Sequence, residues 1–282
     1  MSRGDPSYGP NPWQQAHWDV RAAANFVCGG MGGGLVVAAA LSGARGTALA
    51  APMLAGTALV ALGLASVFAE LGRPLRAANV IRNPRTSWMS REALVAPLLV
   101  ASALAAAFGL PALAPVAAAL ALVFVYCQGR MVHAAKGIPA WRAPLVPALF
   151  VATGLAEGFG LWWLVAAFSG AVAPPWLLGI FGLLVVARLA LFRRYRRTLA
   201  LAPRAAAALD RAGRLLLWAG TAAPLACGAA AAASPGASAW LAAAGGLLAT
   251  VAGAHFKGTL MLAAGHNQGF AIAHLPVRGT SS

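Results

Sequence analysis

The chain has 282 residues and a formal net charge of +15, yet only 10% of its residues are charged and 60% are hydrophobic. Soluble domains carry about 25% charged residues, so a single soluble globular domain is excluded, because a chain of this length cannot bury so much apolar surface. The basic residues lie in the gaps between long apolar blocks, where a membrane protein keeps them, so the partner implied by the charge is a lipid bilayer and not a nucleic acid.

About 20 residues of helix cross the roughly 30 Å hydrocarbon core. The blocks are continuously apolar, without the alternation of a barrel strand, and rich in Ala and Gly, which let helices pack closely in lipid. The expected class is all-α: a polytopic membrane protein of about eight helices in two four-helix bundles. The opening segment 1–21 is polar, with Pro6, Pro10 and Pro12, and lacks the charged-then-apolar order of a cleaved signal, so the first apolar block is expected to be retained. The spans are read as 22–43, 47–69, 92–110, 112–133, 145–169, 174–192, 212–232 and 237–262. Domain boundaries follow: a first bundle over 22–133, a linker over 134–144, a second bundle over 145–262 and a tail over 263–282.

Short turns, such as Ser42 to Gly46 and Pro174-Pro175, join odd spans to the next even ones, and longer basic connections join even spans to odd. The termini and the long connections then share one face, which holds Arg73, Arg76, Arg82, Arg85, Arg91, Arg130, Lys136, Arg142 and the arginines from Arg193 to Arg214. The opposite face has Arg45 alone. The positive-inside rule puts both termini in the cytoplasm of a bacterial inner membrane. Arg204, Arg211 and Arg214 recur at helical spacing after Pro203, which predicts a short surface helix running into span seven.

Cys28, Cys127 and Cys227 lie far apart within apolar blocks, without iron–sulfur or zinc spacing, and read as buried small residues. Ionisable groups inside a bilayer are costly and each asks for a reason. Glu70 ends span two beside Arg73 and is either an ion pair at a helix end or a proton-exchanging acid. Glu157, near the middle of span five, needs a partner, for which Arg188 and Lys257 are the candidates; a structural pair and a proton path are both open. Lys257 and His255 lie in the cytoplasmic half of span eight, where a lysine either snorkels or binds a ligand. A transmembrane haem needs two histidines facing each other from separate helices. His133 and His255 lie toward one side without forming an unmistakable pair, and no metal site, haem or iron–sulfur cluster is expected in this chain. Tyr126 closes span four with Gln128 and Arg130. It suits a quinone carbonyl, or equally an interfacial aromatic belt. Asn25 is a further polar group able to donate to a ligand.

The segment Glu70-Leu71-Gly72-Arg73-Pro74, followed by Asn83-Pro84-Arg85-Thr86-Ser87-Trp88-Met89-Ser90-Arg91-Glu92, resembles the loop between helices two and three of the DMSO-reductase anchor subunits and their polysulfide- and nitrite-reductase (NrfD-like) relatives. Gly129-Arg130-Met131 and the tail segments Asn267 to Phe270 and Leu275 to Gly279 are similar to that family too. Within it, the opening Gly9-Pro10-Asn11-Pro12-Trp13-Gln14-Gln15 looks most like the membrane subunit of phenylacetyl-CoA:acceptor oxidoreductases.

The resemblance implies an anchor without a metal centre of its own. It docks an iron–sulfur subunit that serves a molybdopterin catalytic subunit, and it binds menaquinone or ubiquinone in the first bundle. On this reading Glu70 exchanges the proton, and Asn25, Arg73, Arg91, Tyr126 and His133 shape the quinone pocket. Arg85, Ser87, Trp88 and Arg130 dock the partner, and Glu157 with Lys257 offers a proton path. The basic face makes the redox partners cytoplasmic, which suits a cytosolic substrate such as a CoA thioester. Two rival readings are a secondary transporter and a haem-b-bearing quinol-oxidising subunit.

Overall fold

A computed structural model describes residues 12–69, 79–169, 174–234, 236 and 238–268. Among them, eight helical segments are long and apolar enough to cross a membrane. Helix α1 (Val20–Leu41) starts at Asp19, whose carboxylate caps the backbone N–H of Arg21 at 2.8 Å. A turn containing Gly43 and Gly46, both at positive φ, leads into α2 (Thr47–Phe68); that backbone conformation favours glycine. Helix α3 (Trp88–Ala107) begins four residues before the expected start, because the Ser87 hydroxyl caps Ser90 N–H at 3.2 Å. Helix α4 (Ala114–Ala134) follows a single 3-10 turn, and α5 (Val146–Ser169) completes the first five spans.

Helix α6 (Pro175–Arg197) outruns its expected end at residue 192. Its last turn carries Arg194, Arg196 and Arg197, and cations at a helix C-terminus are favoured by the helix dipole. Helix α7 (Pro203–Leu217) runs through a π turn at Trp218–Ala222 into α8 (Ala223–Ala233). The surface helix expected after Pro203 is thus continuous with span seven, and its Asp210 pairs with Arg196 at 2.7 Å. Helix α9 (Ser238–Gly258) ends in a second π turn, Thr259–Ala263.

Helix α1 packs on α2, α4, α5 and α9 and is the hub of the molecule. Small residues allow this. Gly34 on α1 lies against the backbone of Gly154 and Leu155 on α5, and Gly158 lies against Gly34, leaving no room for a β-carbon. The α1–α5 seam therefore joins the two halves that the sequence suggests as separate bundles. The apolar core divides by depth instead. One buried cluster includes Leu35, Met53, Leu99, Phe124 and Trp162, and the other Phe26, Trp141, Phe150, Leu209 and Phe256.

The two described ends of the chain meet at one end of the bundle. Gln15 N donates to Gly265 O (2.8 Å), Asn267 N to Trp13 O (3.1 Å), and Trp13 N to Asn267 Oδ1 (3.0 Å). The Gln14 side chain donates to the Leu262 carbonyl, and Trp18 stacks on Phe26 and Trp141. The described parts of the opening Trp-Gln-Gln and the tail Asn-Gln segment thus form a clasp across that end.

Candidate functional site: two buried polar clusters

Among the described residues, the buried charged side chains are Glu92, Glu157, Arg188 and Lys257. They fall into two clusters on either side of α1.

The first cluster joins α1, α3 and α4. Glu92 sits in the second turn of α3 and is 5% exposed. Its carboxyl faces the side chains of Asn25 on α1 and Gln128 on α4. Gln128 is fully buried, and its Nε2 donates to the Asn25 carbonyl at 3.1 Å. Asn25 Oδ1, Glu92 Oε1 and Gln128 Oε1 have no hydrogen-bond partner among the described residues. Buried polar atoms are normally satisfied, so these oxygens are open acceptors: Asn25 Oδ1 lies toward Gly63 of α2, Gln128 Oε1 toward Gly30 of α1, and Glu92 Oε1 beside the two amides.

Of the residues expected around a quinone, Asn25 belongs to this cluster. Glu70 and Arg73 lie outside the described residues. Tyr126, Arg91 and His133 stand elsewhere. Tyr126 is 39% exposed. Its hydroxyl accepts from Arg130 at 2.9 Å, and its ring meets Trp88 edge-on at 5.7 Å between centroids. The Arg91 and Arg130 guanidinium groups lie 4.0 and 4.3 Å from the Trp88 ring centroid. Arg91 also donates to the carbonyls of Pro84 (2.7 Å) and Arg85 (2.8 Å), which ties the preceding loop to α3. Ser90 donates to Val80 in the same loop. Arg85, Ser87, Trp88 and Arg130 therefore do share one place, a loop-and-cap assembly at the basic end of α3 and α4. His133 lies on the last turn of α4, 3.4 Å from Lys136.

The second cluster joins α1, α5, α6 and α9. Lys257 Nζ is 2.6 Å from Glu157 Oε2, both side chains fully buried, and also donates to the carbonyls of Phe26 (2.8 Å) and Val27 (3.3 Å) on α1. The snorkelling alternative for Lys257 is thereby overturned: its ammonium is held inward by three acceptors. Arg188 is equally buried and donates to Ala249 O (2.9 Å) and Gly220 O (2.5 Å). Gly220 lies in the π turn, where the i to i+5 pattern frees carbonyls that an α-helix would occupy. Both Glu157 and the Arg188 guanidinium crowd the same side of Gly253. His255 is on the outer side of α9, 3.4 Å from Thr259 Oγ1.

The two roles that sequence reasoning missed belong to Glu92 and Gln128. Glu92 stands inside an apolar block one turn past its Ser87 cap, and an acid so placed is itself the signal. Two apolar clefts of about 300 and 360 Å³, one lined by Leu178, Phe181, Val185 and Leu225 and the other by Leu35, Leu59, Leu62 and Leu161, include none of these polar residues. Among the described residues, no three His, Cys, Asp or Glu side chains are grouped to hold a metal.

Residues 33–199 match the model of one family, the DMSO reductase anchor subunit (DmsC). The chain belongs to the DMSO reductase anchor subunit family. The matched DmsC region contains Glu92, Gln128, Glu157 and Arg188, while Asn25 and Lys257 lie on either side of it. The chain is also similar to a subunit of sulfite dehydrogenase from Allochromatium vinosum, at 32% identity over 42% of this chain. That alignment spans 41% of the length of the relative. Family membership and the eight apolar helices together make this a multi-pass membrane protein of the DmsC type.

Proposed function

We propose that this chain is the quinone-reactive membrane anchor of an oxidoreductase complex, exchanging electrons and protons between menaquinone or ubiquinone and a docked iron–sulfur subunit. That subunit in turn serves a molybdopterin catalytic subunit. The observation that carries the reading is the Asn25–Glu92–Gln128 cluster, where a buried acid and two amides keep hydrogen-bonding capacity open inside the membrane.

The chemistry needs such a set. Quinol hydroxyls donate hydrogen bonds, and the unpartnered oxygens of Glu92 and Asn25 are acceptors for them. Two protons must enter or leave with each pair of electrons, and a buried carboxyl is a suitable exchanger. Glu92 fills that role, and Glu70, outside the described residues, is the second acid. The Trp88–Arg91–Arg130 assembly lies at the same end of α3 and α4 and gives the iron–sulfur subunit its docking place. The basic end is cytoplasmic by charge, so the partners are cytoplasmic and both termini lie there. Protease mapping that placed the 79–87 loop on the outer side would overturn that orientation.

The deciding experiment is purification of the native complex, followed by Glu92→Gln and, separately, Glu70→Gln. An iron–sulfur protein and a molybdoenzyme should copurify. Glu92→Gln should leave assembly intact and slow quinone-linked turnover by about 100-fold, with turnover against a soluble dye unchanged. Full quinone-linked turnover in both variants would remove the proton role. A chain that purifies as a stable unit without redox partners would favour a transporter, and a haem spectrum from this chain would favour the haem-bearing alternative.

A further inference from the structure

Among the described residues, the membrane interior holds two buried acids, Glu92 and Glu157, and two buried bases, Arg188 and Lys257. The Glu157 cluster by itself has two cations and one carboxylate. An uncompensated charge in a low-dielectric interior is strongly unfavourable. With Glu92 ionised, the four groups together are neutral.

The two clusters approach each other across Gly30 of α1. A β-carbon placed on Gly30 would stand against Lys257 Nζ and within 3.6 Å of Gln128 Oε1. Gly30 therefore leaves open the place where a side chain would separate the lysine from the glutamine. Gln128 is oriented to use that gap. Its Nε2 end points at the Asn25 carbonyl and the Glu92 side of the site, and its unpartnered Oε1 end lies on the Lys257 side. An amide dipole with its positive end toward an anion and its negative end toward a cation is the favourable orientation between the two.

We infer that Lys257 is a positioning residue for the first site: through Gln128 it provides the counter-charge that stabilises Glu92 as a carboxylate, ready to take a proton. Its purpose rests on the quinone reading; the charge coupling itself does not. Other titratable groups facing these residues are Cys28 on α1, near Lys257 and Glu157, and Cys127 on α4 with Arg91 on α3, near Glu92. None of them offers a second buried cation.

The coupling is tested without quinone, by the reaction of dicyclohexylcarbodiimide with protonated carboxyl groups in membranes holding the full complex. Modification of Glu92 is read by peptide mass spectrometry as a function of pH. A nearby opposite charge moves a carboxyl's titration by about one pH unit or more. Lys257→Met should therefore shift the midpoint of Glu92 labelling upward by about one pH unit, whereas Glu157→Gln, which leaves both cations in place, should not raise it. If Lys257→Met does not assemble, Lys257→Gln, which removes the same charge but keeps a donor for the Phe26 and Val27 carbonyls, should give the same rise. Unchanged Glu92 labelling on loss of Lys257, or an equal rise in Glu157→Gln, would overturn the inference. Loss of quinone-linked turnover plays no part in this readout, so failure here and failure of the quinone site are separable.

Discussion

Lys257 reaches from α9 to within 2.6 Å of Glu157 on α5, and the same ammonium bonds the Phe26 and Val27 carbonyls of α1. One side chain thus fastens three helices at the level that separates the two apolar cores. Removing one member of a buried pair leaves the other charge without compensation, which costs about 3–5 kcal/mol, whereas replacing both is far milder. Lys257→Met alone should sharply lower the thermal stability of the detergent-solubilised complex. The double variant with Glu157→Gln should recover most of that loss. Additive losses would mean that the two residues are not coupled.

The α1–α5 seam depends on the absence of side chains. Gly158 lies against the backbone of Gly34 and Leu35, which cannot swing aside as a flexible side chain would. Gly158→Val should cost more than about 3 kcal/mol by overpacking and show up as loss of monodisperse protein in size-exclusion chromatography. Gly179 on α6 has open space around its Cα, and Gly179→Ala should be tolerated. Equal behaviour of the two variants would argue against the close seam.

Much of the architecture was legible in the sequence, because hydropathy and charge act locally along the chain: the eight spans and the continuity of the Pro203 helix with span seven follow from them. The partner of Glu157 was legible only as a choice between Arg188 and Lys257, since the decision depends on helix rotation. The site itself was less legible. Tyr126 and Gln128 are two residues apart, and a helix turn of about 200° over two residues sends one to the Trp88 stack and the other into the core. Composition cannot tell which faces inward. The role of Glu92 was hidden for a similar reason: its place beside Asn25 is fixed by the packing of both α3 and α1 on α4, over a separation of many residues.

Trp88 is held between two guanidinium groups and edge-on to Tyr126. Each cation–π contact at a partly exposed site contributes about 0.5–1 kcal/mol, so the stack fixes the loop without being essential to the fold. Trp88→Ala should leave the chain in the membrane at near-normal levels while reducing recovery of the iron–sulfur partner in pull-downs several-fold. Unchanged recovery would remove the stack from the docking surface.

The terminal clasp should respond to acid through His266. This residue pairs with Gln14 in an isolated antiparallel bridge, and its buried Nδ1 has no partner among the described residues. Burial, reinforced by the positive charge of Arg204, holds its imidazole below the ordinary value of 6.5. In the open clasp the ring takes up a proton near pH 6.5, whereas in the closed clasp it stays neutral to lower pH. The open form therefore binds more protons in that window, and the closed form is progressively destabilised as pH falls below about 6.5, with no effect above it. Hydrogen-exchange protection of the Gln15 and Asn267 amides, which donate across the clasp, should fall between pH 7.5 and 5.5 (approximate bounds set by the ordinary histidine range). His266→Gln should flatten that dependence. Protection that stays constant in the native chain, or a pH dependence that persists in the variant, would show that the clasp does not read the protonation of His266.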